Sequence, residues 1–242
     1  MILSGHQPVY LPGIIVFNKI AISDTFMFVG HCQYTQKSWQ TRNKIRLSES
    51  EHWLSVPVKK SGRFGQSIDD TEILDEHWKK KHLGSIRQAY GKRPFFDRYY
   101  PELEVLILTG GDRLGRLNTA IIQAIVNWLE LSTKIVDSSD FQIAGNKTEM
   151  LISMCEAAGA DHYLSNEGSR DYVNEKVMAD KGIQHCWQFF EHPVYDQGRP
   201  FVENLSVIDL LFNVGPAANE IVRKCGRIEP GGYSPRKGTR HE

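Results

Sequence analysis

The residues best suited to chemistry stand near the start of the chain. His6 and Gln7 follow a short apolar run, Met1–Ser4, and precede Pro8 and Pro12, so they sit on a stiffened loop. An imidazole there can serve as a general base or touch a phosphate oxygen. Its blander role is a hydrogen bond that caps the loop. Gln7 adds two donors and an acceptor for orienting a polar ligand. Tyr10, in the same loop, is counted with the substrate contacts. Lys19 lies in the mostly apolar run Ile14–Ile22, where a cation needs a partner such as Asp24 or a route to an anionic ligand.

Further along, Lys37, Arg42, Lys44 and Arg46 form a basic stretch unrelieved by acids, with Tyr34 and Trp39 interleaved. Arg42-Asn43-Lys44 has the chemistry to hold a diphosphate, a guanidinium fork beside an ammonium point charge. A solvated loop or an RNA contact would use the same composition. Lys81 flanks the apolar stripe of Trp78, His82, Ile86 and Tyr90 and is the member of Lys79-Lys80-Lys81 that could reach a cleft; His82 on that stripe reads as core. Ser138-Ser139-Asp140 and the loop Asn166–Tyr172 each come after a strand-like segment, and such loops hold phosphate or sugar hydroxyls or simply cap the next segment. Ser206 and Asp209 have the spacing of a helix-capping box; the alternative makes Asp209 a catalytic orienter and Ser206 a substrate contact.

These residues need elements to position them. Met1–Ser4, Ile14–Ile22 and Thr25–Val29 read as strand, buried helix and strand, a βαβ unit that predicts a parallel sheet. Ligands in such sheets bind beyond the carboxyl ends of the strands, where His6 and Gln7 fall. His52–Val58 and Gln66–Leu74 are extended candidates, and His77–Tyr90 is helical. Leu114, Leu117, Ile121, Ile125, Trp128 and Leu129 form an amphipathic stripe. Strands at Lys134–Asp137, His162–Ser165 and Ile183–Phe189 then alternate with helices at Thr148–Ala158, near Arg170–Lys181, and from Val207. The predicted fold is α/β, a mostly parallel sheet with flanking helices, one domain over 1–225 with a mixed helical insertion at about 40–130. Residues 226–242 read as a flexible basic tail. From Arg223 to Glu242 there are six Lys/Arg against two Asp/Glu, a net of +4.

The bulk numbers set bounds. The 242 residues carry 29 Lys plus Arg and 29 Asp plus Glu, a formal charge of zero, which argues against a nucleic-acid binder. Four dispersed cysteines contain no CxxC pair, so no zinc site is expected. No membrane span and no secretory leader are read from the sequence, and a cytoplasmic location is expected. There is no Walker, GxGxxG, GxSxG or HExxH motif.

The run Gly5-His6-Gln7-Pro8-Val9-Tyr10-Leu11-Pro12 resembles the opening signature of the WbqC-like family. The likeness continues through Lys19-Ile20, Arg42-Asn43-Lys44-Ile45, Trp78, Lys81-His82, Ser138-Ser139, Ala160–Ser165 and Leu205–Asn213, about residues 3–215. Gly13 stands where that family usually has Trp, and Gly30-His31-Cys32 where acidic residues are more usual. Members commonly sit among genes for O-antigen and other surface polysaccharides, so the resemblance implies work on amino sugars or the groups attached to them. A more distant similarity, strand, His-bearing loop and helix, is to the nucleotidylyltransferase-type α/β fold, without its second histidine.

The leading expectation is a transferase that acylates or aminoacylates the amino group of a nucleotide-linked sugar. His6 would deprotonate the amine. Lys19, Arg42, Asn43, Lys44 and Lys81 would hold the diphosphate or activated carboxylate, and Tyr10, Ser138, Ser139, Tyr172 and Ser206 the sugar side, with Asp209 beside the catalytic pair. The co-reactant is open between an activated acyl donor, with or without an acyl carrier, and a nucleoside triphosphate with magnesium. A nucleotide-dependent carboxylate-activating or nucleotidyl-transfer enzyme is the second expectation, and a non-catalytic partner in polysaccharide assembly the third.

Overall fold

A computed structural model describes residues 1–198 and 200–233. Five parallel strands form most of a six-stranded sheet: β1 (Ile2–His6), β2 (Thr25–Phe28), β5 (Lys134–Asp137), β6 (His162–Ser165) and β7 (Gln184–Phe190). The sheet order is β5-β2-β1-β6-β7-β8, with β8 (Gly226–Pro230) antiparallel on β7. The chain therefore winds outward from β1 through β2 to β5, then returns to the other side of β1 with β6. That reversal puts the topological switch point, the usual ligand crevice of such sheets, between the carboxyl ends of β1 and β6.

The inner strands are short and mostly apolar because both faces are covered. On one face pack α1 (Ile14–Ala21), α7 (Val207–Val214) and α8 (Ala218–Lys224), continuous with a side layer of α2 (His77–Tyr90), α3 (Phe96–Thr109) and α4 (Leu114–Trp128). On the other face Leu3, Met27 and Tyr163 meet Leu151, Met154 and Cys155 of α5 (Lys147–Ala158) and Met178 of α6 (Glu175–Asp180). The insertion after β2 holds the side-layer helices and an antiparallel hairpin, β3 (Arg42–Leu47) with β4 (Ser50–Ser55).

Four expectations change. Residues 33–46 are not one basic loop, because Arg42–Leu47 pairs as β3. Gln66–Leu74 forms only isolated bridges, Gln33 with Ser67 and Val58 with Ile73. α3 has no counterpart in the sequence reading; Pro101 sits inside it, where the proline ring masks a helical pattern. Gly226–Pro230, assigned to the loose tail, is the strand β8 instead. It covers the edge of β7, with the Arg227 guanidinium 3.8 Å from the Phe189 ring centre. Residues 234–242 of that expected tail lie outside the described residues.

Candidate functional site

His6 ends β1 rather than beginning a loop, and Gly5 beneath it permits close packing. A Cβ on Gly5 would lie 2.6 Å from Met154 Cε and 3.0 Å from the Tyr163 hydroxyl. After His6 the chain makes a tight excursion through Leu11, a buried residue held at φ 45°, in the region that normally favours glycine. Side chains from the insertion hold this backbone. Asn43 Nδ2 donates to the Leu11 carbonyl at 2.7 Å, and Asn118 Nδ2 to the carbonyls of Pro8 at 3.1 Å and Gln40 at 2.8 Å. The signature run is thus shaped by residues distant in sequence.

Two lobes of one crevice meet at His6 and Asn166, which line both. The first, about 250 Å³, is mostly apolar: Val9, Pro12, Ile14, Trp39 and Phe190, with Asn43 and His192. The second, about 310 Å³, is richer in polar groups: Gln7, Lys19, Cys32, Ser165, Ser169 and Tyr172. The crevice sits where the strand order reverses.

His6 Nδ1 lies 2.7 Å from the Gln7 carbonyl. A carbonyl only accepts, so the proton belongs on Nδ1 and Nε2 keeps a free lone pair. Burial, then the charge of Lys19, lowers the imidazole to about 4, so it is neutral at physiological pH. Gln7 Oε1 accepts from Gln40 Nε2 at 2.8 Å, which fixes the orientation of its amide. Lys19 is 3% exposed, and burial lowers its ammonium to about 7. It donates to the Gly5 carbonyl at 2.9 Å and makes no ion pair among the described residues. The anticipated partner, Asp24, instead accepts from the Ile2 amide at 2.7 Å.

Of the residues picked out from sequence, His6, Gln7, Lys19 and Tyr172 meet in the second lobe and Asn43 lines the first. The others do not line either lobe. Tyr10 is fully buried and its hydroxyl pairs with His82 Nδ1 at 3.0 Å, so it is core. Arg42 and Lys44 share the face of the hairpin opposite Asn43. Arg42 stacks on Trp53 at 4.6 Å, and Lys44 is neutralised by Glu51. Lys81 is exposed on α2, while Lys79, expected to be solvated, is buried against Glu76 and the Leu108 carbonyl. Ser138 bonds His31 Nδ1 at 2.7 Å and Ser139 is exposed, both at the end of β5, two strands from β1. Ser206 is fully buried as the cap of α7, its hydroxyl accepting from the Ile208 amide at 3.4 Å. Asp209 is also fully buried. One carboxylate oxygen accepts from Tyr90 at 2.8 Å and the other from Tyr195 at 3.0 Å, so it is a packing hub and not a catalytic partner of His6.

The sequence reading passed over Cys32, Ser165 and His192. Ser165 carried a usable signal as the polar last residue of a predicted strand. His192 carried none, because it comes from the irregular segment that follows β7.

A family model described as the WbqC-like protein family matches residues 7–221, nearly the whole length that builds the crevice. The chain belongs to the WbqC-like family. A relative from Mycobacterium tuberculosis (strain ATCC 25618 / H37Rv), named uncharacterized protein Rv1507c, is 34% identical over 224 residues, 90% of this chain and 96% of the relative. No solved structure matches the chain, so the likeness to nucleotidylyltransferases gains no support. None of the helices among the described residues is long and apolar enough to cross a membrane.

Proposed function

We propose that this WbqC-like protein acylates or aminoacylates the amino group of a nucleotide-linked sugar in surface-polysaccharide synthesis. The observation that carries the reading is the place of His6, whose Nδ1 is held 2.7 Å from the Gln7 carbonyl at the junction of two lobes at the switch point. A transfer between two substrates needs two compartments and a base at their junction, because the attacking amine must be neutral when it reaches the acyl carbon.

The polar lobe suits the acyl side. Lys19 brings a cation with no carboxylate partner among the described residues, so it can stabilise the negative oxygen that develops on the acyl carbon. The mostly apolar lobe suits the sugar, which can lie against Trp39 with Asn43 and Asn166 as hydrogen-bonding groups. Trp39 packs on Trp53 with ring centres 5.5 Å apart, and Arg42 lies over Trp53, so a guanidinium stands beyond the mouth for the diphosphate. Family membership supports the polysaccharide setting.

The test is mass spectrometry of an amine-bearing sugar nucleotide incubated with acyl and aminoacyl donors. An amide product is expected, and His6→Ala should lower kcat/KM by about 10²–10⁴-fold with little change in melting temperature. No product from any donor, with no thermal stabilisation by sugar nucleotides, would sink the reading. Magnesium-dependent pyrophosphate release from a nucleoside triphosphate would instead favour carboxylate activation.

A further inference from the structure

A second histidine stands behind the polar lobe. His185, on β7, is wholly buried, and its Nε2 lies 2.9 Å from the Ser165 hydroxyl at the end of β6. Ser165 lines the lobe together with His6 and Lys19. On the other side of the ring, Nδ1 has no hydrogen-bond partner among the described residues and faces Glu175 Oε1 at 3.7 Å. Glu175 is itself aimed. Its Oε1 accepts from Trp187 Nε1 at 2.6 Å, and its Oε2 from the Gly232 amide at 2.5 Å. The sheet register explains the alignment: Tyr163 pairs with His185 and Ser165 with Trp187, so Ser165, His185 and Trp187 project from the same face, toward α6 and Glu175.

We infer that Ser165, His185 and Glu175 form a nucleophile, base and orienter, and that Ser165 carries the acyl group as an ester during transfer. The inference rests on the acyl-transfer reading of the crevice and gives it a two-step course. A carboxylate only accepts, so the imidazole proton belongs on Nδ1, toward Glu175, and Nε2 is left to take the serine proton. Burial lowers His185 to about 4, against a smaller upward pull from Glu175, which keeps the ring neutral and able to accept. The 3.7 Å gap to Glu175 is the slack that such sites take up when substrate binds.

In the first step the Ser165 oxygen attacks the carbonyl carbon of a thioester. Its proton passes to His185 Nε2, the carbon–sulfur bond breaks, and the departing sulfur takes that proton and leaves as a thiol. In the second step the sugar amine passes its extra proton to His6 Nε2, which releases it to solvent, and the neutral amine attacks the Ser165 ester. One N–H proton passes to His185 and on to the Ser165 oxygen as the ester bond breaks. The amide is released and the serine is restored. Lys19, in the same lobe, faces the negative oxygen of both tetrahedral intermediates.

The experiment uses the full chain and p-nitrophenyl acetate as acyl probe, read by intact mass and peptide mapping. One acetyl group on Ser165 is expected, with none at that position in Ser165→Ala. His185→Asn should slow labelling by at least about 100-fold, and Glu175→Gln by less. Because Ser165→Ala leaves a buried histidine without its partner, Ser165→Cys is the fold control. It should melt like the parent and accept the acetyl group as a thioester. Acetylation of the parent elsewhere, or equal labelling in His185→Asn, overturns the proposal. If Ser165→Ala forms amide product at the parental rate while His6→Ala does not, the serine ester is refuted and the transferase reading stands. If Ser165 is acetylated but no amine-bearing sugar nucleotide takes the group, the serine stands and the sugar reading falls.

Discussion

Lys19 lies 3% exposed below His6, holds one carbonyl, and has no acid to answer its charge among the described residues. A buried ammonium costs folding free energy unless paired, and this one has its pKa brought down to about 7 by burial. Nothing in packing alone rewards such a residue, since methionine would fill the space. Lys19→Met should therefore raise stability by roughly 1–3 kcal/mol in urea unfolding while abolishing transfer activity. Loss of stability in that variant would mean that the ammonium is a structural member of the fold. Residue types alone pointed to His6, Gln7 and Lys19. They misplaced Tyr10 and Asp209, whose polar atoms are consumed by His82, Tyr90 and Tyr195. A tyrosine or aspartate in a motif looks the same whether its polar end faces a ligand or a buried partner.

At the scale of elements, the insertion is what gives the His6 loop its shape. α4 contributes Asn118, whose amide nitrogen bridges the carbonyls of Pro8 and Gln40, and β3 contributes Asn43, which holds the strained Leu11. Two buried carbonyls lose their donor in Asn118→Ala, at a cost of about 1–3 kcal/mol. Asn118→Asp should cost more, because an oxygen then faces oxygens. Both variants should lower kcat without moving its pH profile, and urea unfolding together with rate measurements at several pH values checks the order. A stability equal to the parent in both would show that the loop holds itself. The spacing of apolar residues predicted α2, α4, β5 and β6 because each presents a regular pattern to the core. It did not predict β3, whose alternating Arg42, Lys44 and Arg46 reads as a polar run until Ser50–Ser55 pairs beside it. It also missed β8, whose weak pattern becomes a strand only against the open edge of β7.

For the whole molecule, two buried imidazoles and the half-buried His6 set a pH limit. His6, His82 and His185 are each lowered from an ordinary 6.5 to about 4, burial being the leading cause in every case. The unfolded chain binds more protons than the folded one between those values, so the contribution of these rings is complete above about 6.5 and is lost as pH drops toward 4. Each ring contributes on the order of a few kcal/mol across that window, against a typical total of about 5–15 kcal/mol. Acid unfolding is expected before pH 4 is reached, and the free energy from urea titrations at pH 7, 5.5 and 4.5 should fall steadily. A flat profile would show that the rings take up protons as readily in the fold as in the unfolded chain.

The sequence by itself determined the alternation of elements, the parallel sheet and the position of His6 and Lys19 near a strand's end. Apolar periodicity and proline placement are local and survive in a single chain read once. The tertiary structure decided which loops share an edge with His6. The Asn166–Tyr172 loop does, because β6 lies next to β1, while Ser138 does not, because β2 separates β5 from β1. It also decided that Ser165 meets His185, since strand register belongs to the assembled sheet and to neither strand alone.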